Sequence, residues 1–416
     1  MSSPEITRKS TSESDWPHVK FGDVVRDVKE SEKDPSSAGL TRYIGLEHIE
    51  SKNFKIREWG DLTRDEVSFT KRFRAGQVLF GKRRAYLRKV AVAEFDGICS
   101  SDILTFEPLN GNLIPELLPF IVQSERFFDH ALDTSSGSLS PRTRWSQLKD
   151  FEFPLPSIDE QRRIAAPLCA TDECRICYDT TLEALRKLRA SVLIESFVSS
   201  GEHPSKREIQ KAKMGKGWQL VEAKTLSEAP ITKGETPRGK LSPDNGDVPF
   251  VKIYNLSFNG KLDFGVKPTF VAREAHEGKL KRSQVVPGDI LMNLVGPPLG
   301  KIGLVPDVFS EWNINQAIAR YRPSDELHRK FLWYYLQSDW AQRWLFRRSK
   351  KTSGQRNLTL KLAQDLPVPV SNKANMETIV SQLETIDDSS RKAAAALERV
   401  MELQKLLTES FLGTSE

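Results

Sequence analysis

The sequence predicts an α+β protein built twice over: two β-rich α+β domains, each followed by a long helix, with the two helices paired as an antiparallel coiled coil and the whole forming a pseudo-twofold repeat. Three observations predict it. First, residues 75–108 and 287–323 share one layout, aligning Gly76 with Gly288, Lys89 with Lys301 and Pro108 with Pro323. Second, the same order, at offsets of 202 to 217 residues, carries through Trp16 and Trp218, Gln123-Ser124 and Gln337-Ser338, Ser136-Gly137 and Ser353-Gly354, and FPLP (153–156) with LPVP (366–369). Third, a long stretch of helical periodicity follows each proline-containing exit. A repeat of this length sets the architecture, so it is read before local structure.

Taken in chain order, residues 1–15 are a polar tail expected to be disordered. Residues 16–157 are the first domain, in which RYIGLEHI (42–49), QVLFGK (77–82) and KVAVAEF (89–95) are β-branched and aromatic runs bounded by turn formers, the pattern of strands. Helical spacing appears at 113–130. Residues 158–200 form the first long helix and 201–217 a polar linker with five Lys/Arg. The second domain, 218–371, repeats the scheme with strands at VPFVKIYNL (248–256) and DILMNLV (289–295) and helical spacing at 325–346. Residues 372–412 are the second long helix.

The two helices carry a 4,3 repeat. In the second, Ile379, Leu383, Ile386, Ser390, Ala393, Leu397, Val400, Gln404, Leu407 and Phe411 form a seam with eight apolar members of ten. In the first, Ile164, Leu168, Thr171, Arg175, Tyr178, Leu182, Leu185, Arg189, Val192 and Ser196 form a more polar one, with six of ten. Such stripes are coiled-coil seams that need burial. The simplest burial is each helix against the other, which makes the pair a spacer up to about 60 Å long.

The length of 416 residues suits two to three domains, and four cysteines supply no disulfide framework. No stretch approaches the roughly 18 apolar residues of a membrane span, and the N-terminus lacks a leader's apolar core, so a cytoplasmic protein is expected. Catalytic motifs are missing: there is no GxxxxGK[ST], GxGxxG, HExxH, GxSxG or Asn/Asp-Pro-Pro-Tyr segment. Cys169, Cys174 and Cys177 have a cluster-like spacing but fall inside a helix, where packing is the simpler role. Pro243-Asp244 with Glu277 and Lys279 are the residue types of a metal-dependent nuclease, but the first copy offers no counterpart.

A net charge of +6 leaves nucleic acid open as a partner, and the charge is clustered. Residues 71–90 contain eight Lys/Arg and no acid, with Lys82, Arg83, Arg84, Tyr86 and Arg88 following a strand end. Arginine can bind guanine edges bidentately, and both cations neutralise phosphates, so this loop suits a DNA-facing edge. The second copy keeps Lys301 but replaces the arginines (LMNLVGPPLGKI, 291–302), the expected result if one framework reads different details of the same ligand. Around the Ser-Gly match stand Arg142 and Arg144 in the first copy and Lys350, Lys351, Gln355, Arg356 and Asn357 in the second. Lys233, Thr236 and Arg238 form a further turn-rich candidate. A solvated basic face is the alternative for each.

QVLFGKRRAYLRKVAVAEFDGICSSDIL (77–104), YIGLEHIE (43–50) and FEFPLPSIDEQRRIAAPL (151–168), with weaker second copies DLPVPV (365–370) and METIVSQL (376–383), resemble the DNA-specificity subunit of type I restriction-modification enzymes over nearly all of 16–412. The resemblance implies two target recognition domains, each binding one half of a split asymmetric site in double-stranded DNA, with the paired helices fixing the gap. It implies no catalysis in this chain, which would scaffold two methyltransferase (modification) subunits and, for cleavage, two ATP-driven restriction subunits. S-adenosylmethionine, ATP and Mg would belong to those partners, and no cofactor to this chain. Gln161, Arg162, Glu183 and Arg186 would form part of the partner surface. The second copy departs from the pattern by lacking the run Glu160-Gln161-Arg162-Arg163, so the resemblance does not imply equal affinity for the two partner subunits. A stand-alone nuclease or methyltransferase, and a tandem interaction protein without DNA specificity, are the competing readings; activity of the lone chain would favour the first of these.

Overall fold

The computed structural model describes residues 16–137, 140–197, 217–237, 247–352 and 354–413. The tail at 1–15, the linker at 201–216 and the last three residues assigned to the first helix lie outside them. The chain packs as two compact units: the residues through Thr180 together with those from Ala394, and Thr181–Ala393.

In the first unit, His18–Lys20 pairs antiparallel with Glu152–Pro154, tying the domain's entry to its exit. One sheet has the order Val25–Asp27, Ile103–Pro108, Val78–Gly81, Val90–Val92; the other runs Gly60–Asp61, Arg42–Ile44, Gly97–Cys99, Lys71–Phe73. The second unit repeats both orders strand for strand: Thr232–Lys233, Ile318–Tyr321, Ile290–Asn293, Ile302–Leu304, and Phe270–Val271, Val248–Val251, Trp312–Ile314, Gln284–Val285. Even the single parallel pairing recurs, Arg42–Ile44 with Gly97–Cys99 and Val248–Val251 with Trp312–Ile314. Gln219–Glu222 closes on Pro367–Val370 as in the first copy.

Two strands are shorter than their apolar runs suggest, and for the same reason. The first ends at Ile44, where the His48 ring accepts the Gly45 N–H at 3.0 Å and turns the chain into a 3-10 helix, Leu46–His48. The second ends at Val251, where Asn255 Oδ1 accepts the Lys252 N–H at 2.9 Å. A local side-chain acceptor offers the backbone an alternative to the ladder. The helical stretches are likewise split at the repeated Gln-Ser. Ser124 Oγ accepts from Phe127 N at 3.2 Å and starts Glu125–Asp133; Ser338 Oγ accepts from Ala341 N at 3.3 Å and starts Asp339–Arg348. The Gln-Ser match therefore marks an N-cap.

Gly76 and Gly288 both hold φ +88° at the turn leading into the central strand, donating to Ala93 O and Val305 O. A Cβ at Gly76 would meet nothing within 4 Å, and one at Gly288 only the swinging end of Arg329. Gly76→Ala and Gly288→Ala are therefore each expected to cost the backbone term alone, about 1–2 kcal/mol, read as similar downward shifts in thermal melts.

The long helices span Ile158–Phe197 and Lys373–Leu412, and every seam position in both is buried or half-buried. Each unit takes a share of both. In the first, Ala165 and Leu168 join Leu407, Phe411 and Leu412 in the core around Phe21, Phe106 and Phe127. In the second, Val192 and Leu193 join Met376, Ile379 and Leu383 beneath Phe331 and Tyr335. Early residues of one helix thus meet late residues of the other, an antiparallel arrangement. The 157/158 boundary separates helix from domain in sequence, but the helix's opening turns belong to the domain core. The two seam arginines are paired: Arg175 binds Asp172 at 2.8 Å, Asp179 at 3.2 Å and Asn53 Oδ1 at 3.0 Å, while Arg189 binds Asp387 and Gln337 at 2.7 Å.

Candidate nucleic-acid interface

In the first unit, two basic segments far apart in sequence become neighbours. Strand Val78–Gly81 runs straight into Lys82, and Arg142 bridges to both Arg83 and Ser136. Thr143 N donates to Lys82 O at 3.1 Å and Arg84 N to Pro141 O at 2.8 Å. Asp102 binds Arg142 at 3.0 Å and lies 3.6 Å from Arg83, so these two guanidiniums are partly neutralised and held in place. The side chains of Lys82, Arg84, Tyr86 and Arg144 make no hydrogen bond or ion pair among the described residues. Arg84, Tyr86 and Arg144 are exposed. Beside them a cavity of about 420 Å³ is lined by Lys82, Arg142, Thr143 and Arg144. Thr143 is fully buried, and its hydroxyl has no partner among the described residues.

Arg88 is a correction to the sequence reading. It turns inward, binding both carboxylate oxygens of Glu125 and lying 5.4 Å from the centre of the Phe128 ring, so it braces the loop and is not presented to a ligand. The hydrogen bond from Arg88 holds the Glu125 carboxyl below its ordinary range. A depressed carboxylate pKa means that the pair's contribution is present above the unfolded value of about 4.3 and is lost as pH falls through the lowered folded value. Amide protection at 84–89, taken relative to the intrinsic exchange rate at each pH, is expected to fall below that point and to be insensitive to pH between 6 and 8; Glu125→Gln should abolish the transition.

The second unit builds the same edge from different side chains. Val295–Gly296 pairs with Gln355–Asn357, which pairs in turn with Lys350–Thr352, so the 291–302 loop and the 347–360 cluster form one three-stranded sheet. Lys350, Lys351 and Gln355 are exposed, and Lys301 is half-buried at the end of the turn. Arg356 lies 3.8 Å from the centre of the exposed Phe346 ring and donates to Ser349 Oγ at 3.2 Å. Asn357 is half-buried, in register with Val295 and Lys350. Lys233 and Thr236 are exposed, Lys233 pairing with Ala319 one strand away from this edge. Arg238 lies outside the described residues, as do Pro243 and Asp244.

One element was missed in sequence. Ser51 bridges to Lys89, and Lys52 N donates to Arg88 O; in the second unit Ser257 and Ile302 exchange backbone hydrogen bonds at 3.1 and 2.7 Å. This brings Lys52 in one unit and Phe258, which is 49% exposed, in the other beside the basic loop. Asn259-Gly260, a turn dipeptide, was the available signal.

On the helices, Arg162, Glu183 and Arg186 are exposed. Gln161 is not, and its place on a partner surface is corrected. It is 1% exposed, with Oε1 accepting Ile114 N at 3.0 Å and Nε2 donating to Asn112 O and Pro156 O, so it locks the helix onto the domain. Among the described residues, no group of His, Cys, Asp and Glu is placed to hold a metal ion, and no helix is long and apolar enough to cross a membrane.

A duplicated sheet domain carrying a basic edge, with a share of two long helices in each core, defines a tandem-domain recognition protein. The comparisons with known proteins make the class particular. The type I restriction modification DNA specificity domain matches residues 13–184 and again 215–399, and the chain belongs to that family, with two copies of its domain. The specificity subunit of the Escherichia coli type I restriction enzyme EcoDI is 28% identical over 44% of this chain and 42% of that protein. The MjaVIII specificity subunit of Methanocaldococcus jannaschii is 23% identical over 90% of this chain and 86% of that one. The crystal structure of the type I restriction-modification S subunit from M. genitalium shares the fold, with a TM-score of 0.60 at 15% identity over 96% of this chain and 97% of that one.

Proposed function

We propose that this chain is the non-catalytic DNA reader of a type I restriction-modification complex, working in the cytoplasm. Each unit takes one half of a split asymmetric site: the first through Lys82, Arg83, Arg84, Tyr86, Arg142 and Arg144, the second through Lys301, Lys350, Lys351, Gln355, Arg356 and Asn357. The observation that carries this reading is the joining, in each unit, of the loop that follows the central strand to a distant basic segment, forming one edge on a shared frame with different side chains. Cations at such an edge position a protein on phosphates, while amide and guanidinium groups read base edges.

The helices set the gap between half-sites and, through exposed residues such as Arg162 and Arg186, dock two methyltransferase subunits and, for cleavage, two restriction subunits. Methyl transfer and ATP-driven steps, with their S-adenosylmethionine, ATP and Mg, fall to those partners. The test exchanges residues 16–155 for the same region of a related subunit, expresses the chimera with its methyltransferase subunits, and sequences the methylome. One half of the methylated motif is expected to change; a change in both halves or in neither would sink the reading. Arg175 is anchored to Asn53, so a spacing test places matched four-residue insertions after 183 and 393, not within 170–180. The tolerated gap should widen with both half-sites retained.

A further inference from the structure

We infer that the turn Ala85–Leu87 is a wedge: Tyr86 and Leu87 enter the base stack of the half-site taken by the first unit and unstack a single base step there. This rests on the DNA reading proposed above and adds to it a mode of recognition and a residue, Leu87, that the charge pattern does not indicate.

The turn combines an uncovered apolar tip with a rigid base. Tyr86 is 52% and Leu87 38% exposed, two consecutive large apolar side chains at the apex of a single 3-10 turn. Both flanking residues, Arg84 and Arg88, are non-glycine residues in the left-handed region, at φ 54° and 51°. Such a conformation persists only where the surroundings over-determine it, and strain of this kind gathers at ligand clamps. Here the surroundings do so. Ala85 beneath the tip is buried; Arg84 N is held by Pro141 O and Leu87 N by Arg84 O; Lys52 N holds Arg88 O; and the Arg88 guanidinium is clamped by Glu125. Every polar anchor points into the domain, and the apolar tip is left in water.

The unpaired cation Arg84 adjoins this tip, and Lys82 and Arg144 stand on the same edge beside it. An apolar point between phosphate-binding cations matches the way proteins unstack a base step, with the cations holding the backbone while the side chains replace stacking. The corresponding turn of the second unit, Gly296-Pro297-Pro298-Leu299-Gly300, carries no aromatic side chain, and of that unit's exposed aromatics Phe346 has the Arg356 guanidinium against its face while Phe258 stands on a separate segment. The wedge is therefore assigned to the first half-site, and the step favoured there is a readily unstacked pyrimidine–purine step.

The test uses the full chain co-purified with its methyltransferase subunits and a duplex carrying the motif that methylome sequencing recovers from the host. 2-Aminopurine replaces each purine of the motif in turn. With the unaltered chain, fluorescence should rise at one step of the first half-site. Tyr86→Ser/Leu87→Ser should abolish that rise and lower selectivity for the step by about 10-fold, leaving the salt dependence of binding unchanged. Tyr86→Phe/Leu87→Met should restore both, and an unchanged thermal melt would show that the surface variant folds. Specific binding without unstacking at any position overturns the wedge and spares the DNA reading. Loss of methyltransferase co-purification in the serine variant also overturns it, since the turn would then be a protein-docking element. No specific DNA binding by the unaltered complex would defeat the DNA reading itself, and the wedge with it.

Discussion

Lys82→Gln/Arg84→Gln/Arg144→Gln, made in the chain assembled with its methyltransferase subunits, is expected to weaken DNA binding by about 3 kcal/mol near physiological salt. That is roughly a hundredfold, and the loss should be alike for cognate and non-cognate duplexes. All three side chains stand on one edge without an internal partner among the described residues. Each cation that neutralises a phosphate releases counterion, and the slope of log K against log salt is about −0.9 per phosphate. Removing three should flatten the slope by about 2.7. Arg83 and Arg142 are left in place because Asp102 already shares their charge. A slope unchanged between 50 and 200 mM salt would take this edge off the DNA. Gln355→Ala in the other unit should behave differently, relaxing selectivity at one base pair by about 1–3 kcal/mol with the slope preserved.

The largest expected loss of stability comes from Arg175→Ala, at about 3 kcal/mol. Arg175 is only 5% exposed and carries contacts to Asp172, Asp179 and Asn53 at once. Truncation leaves Asp172, on a half-buried helix face, without its counter-charge and Asp179 with Arg57 alone. Breaking a buried pair from one side costs about 3–5 kcal/mol, and the lower end applies because Asp179 keeps Arg57 at 3.1 Å. For a unit of this size, a loss of about 3 kcal/mol corresponds to roughly 6–12 °C in melting temperature. Arg189→Ala should cost less, since Arg189 is half-buried and its partner Asp387 also accepts the Tyr334 hydroxyl at 3.0 Å. Equal losses from the two substitutions would show that burial does not set the cost.

Much of the frame was legible because a duplicated chain is its own comparison. The Gly76/Gly288 match is a shared left-handed turn, and the Gln-Ser match is a shared helix cap; both need a particular residue for a backbone reason. The helix seams were readable residue by residue because packing requires an apolar stripe at a fixed period. Ends of strands were not: the early stops at Ile44 and Val251 depend on His48 and Asn255 reaching back to the chain, a competition that periodicity does not record.

The candidate site was half legible. Charge clustering located Lys82–Arg88 and Arg347–Lys361, since like charges without acids stand out in any sequence. It could not separate Arg84, which is free and exposed, from Arg88, which is spent on Glu125. Nor could it foresee that Gln161 would be buried as a lock between Ile114 and Asn112.

By itself, then, the sequence determined the doubling, the seams and the identity of the basic segments, because each is a periodic or local property of the chain. Only the tertiary structure decided which cations remain available, that each domain core takes in a share of both helices, and that two segments over fifty residues apart share an edge. Those outcomes depend on which side chain reaches which partner once the backbone is folded. Arg84 and Arg88, four residues apart with opposite fates, show how little of that choice is written in residue type.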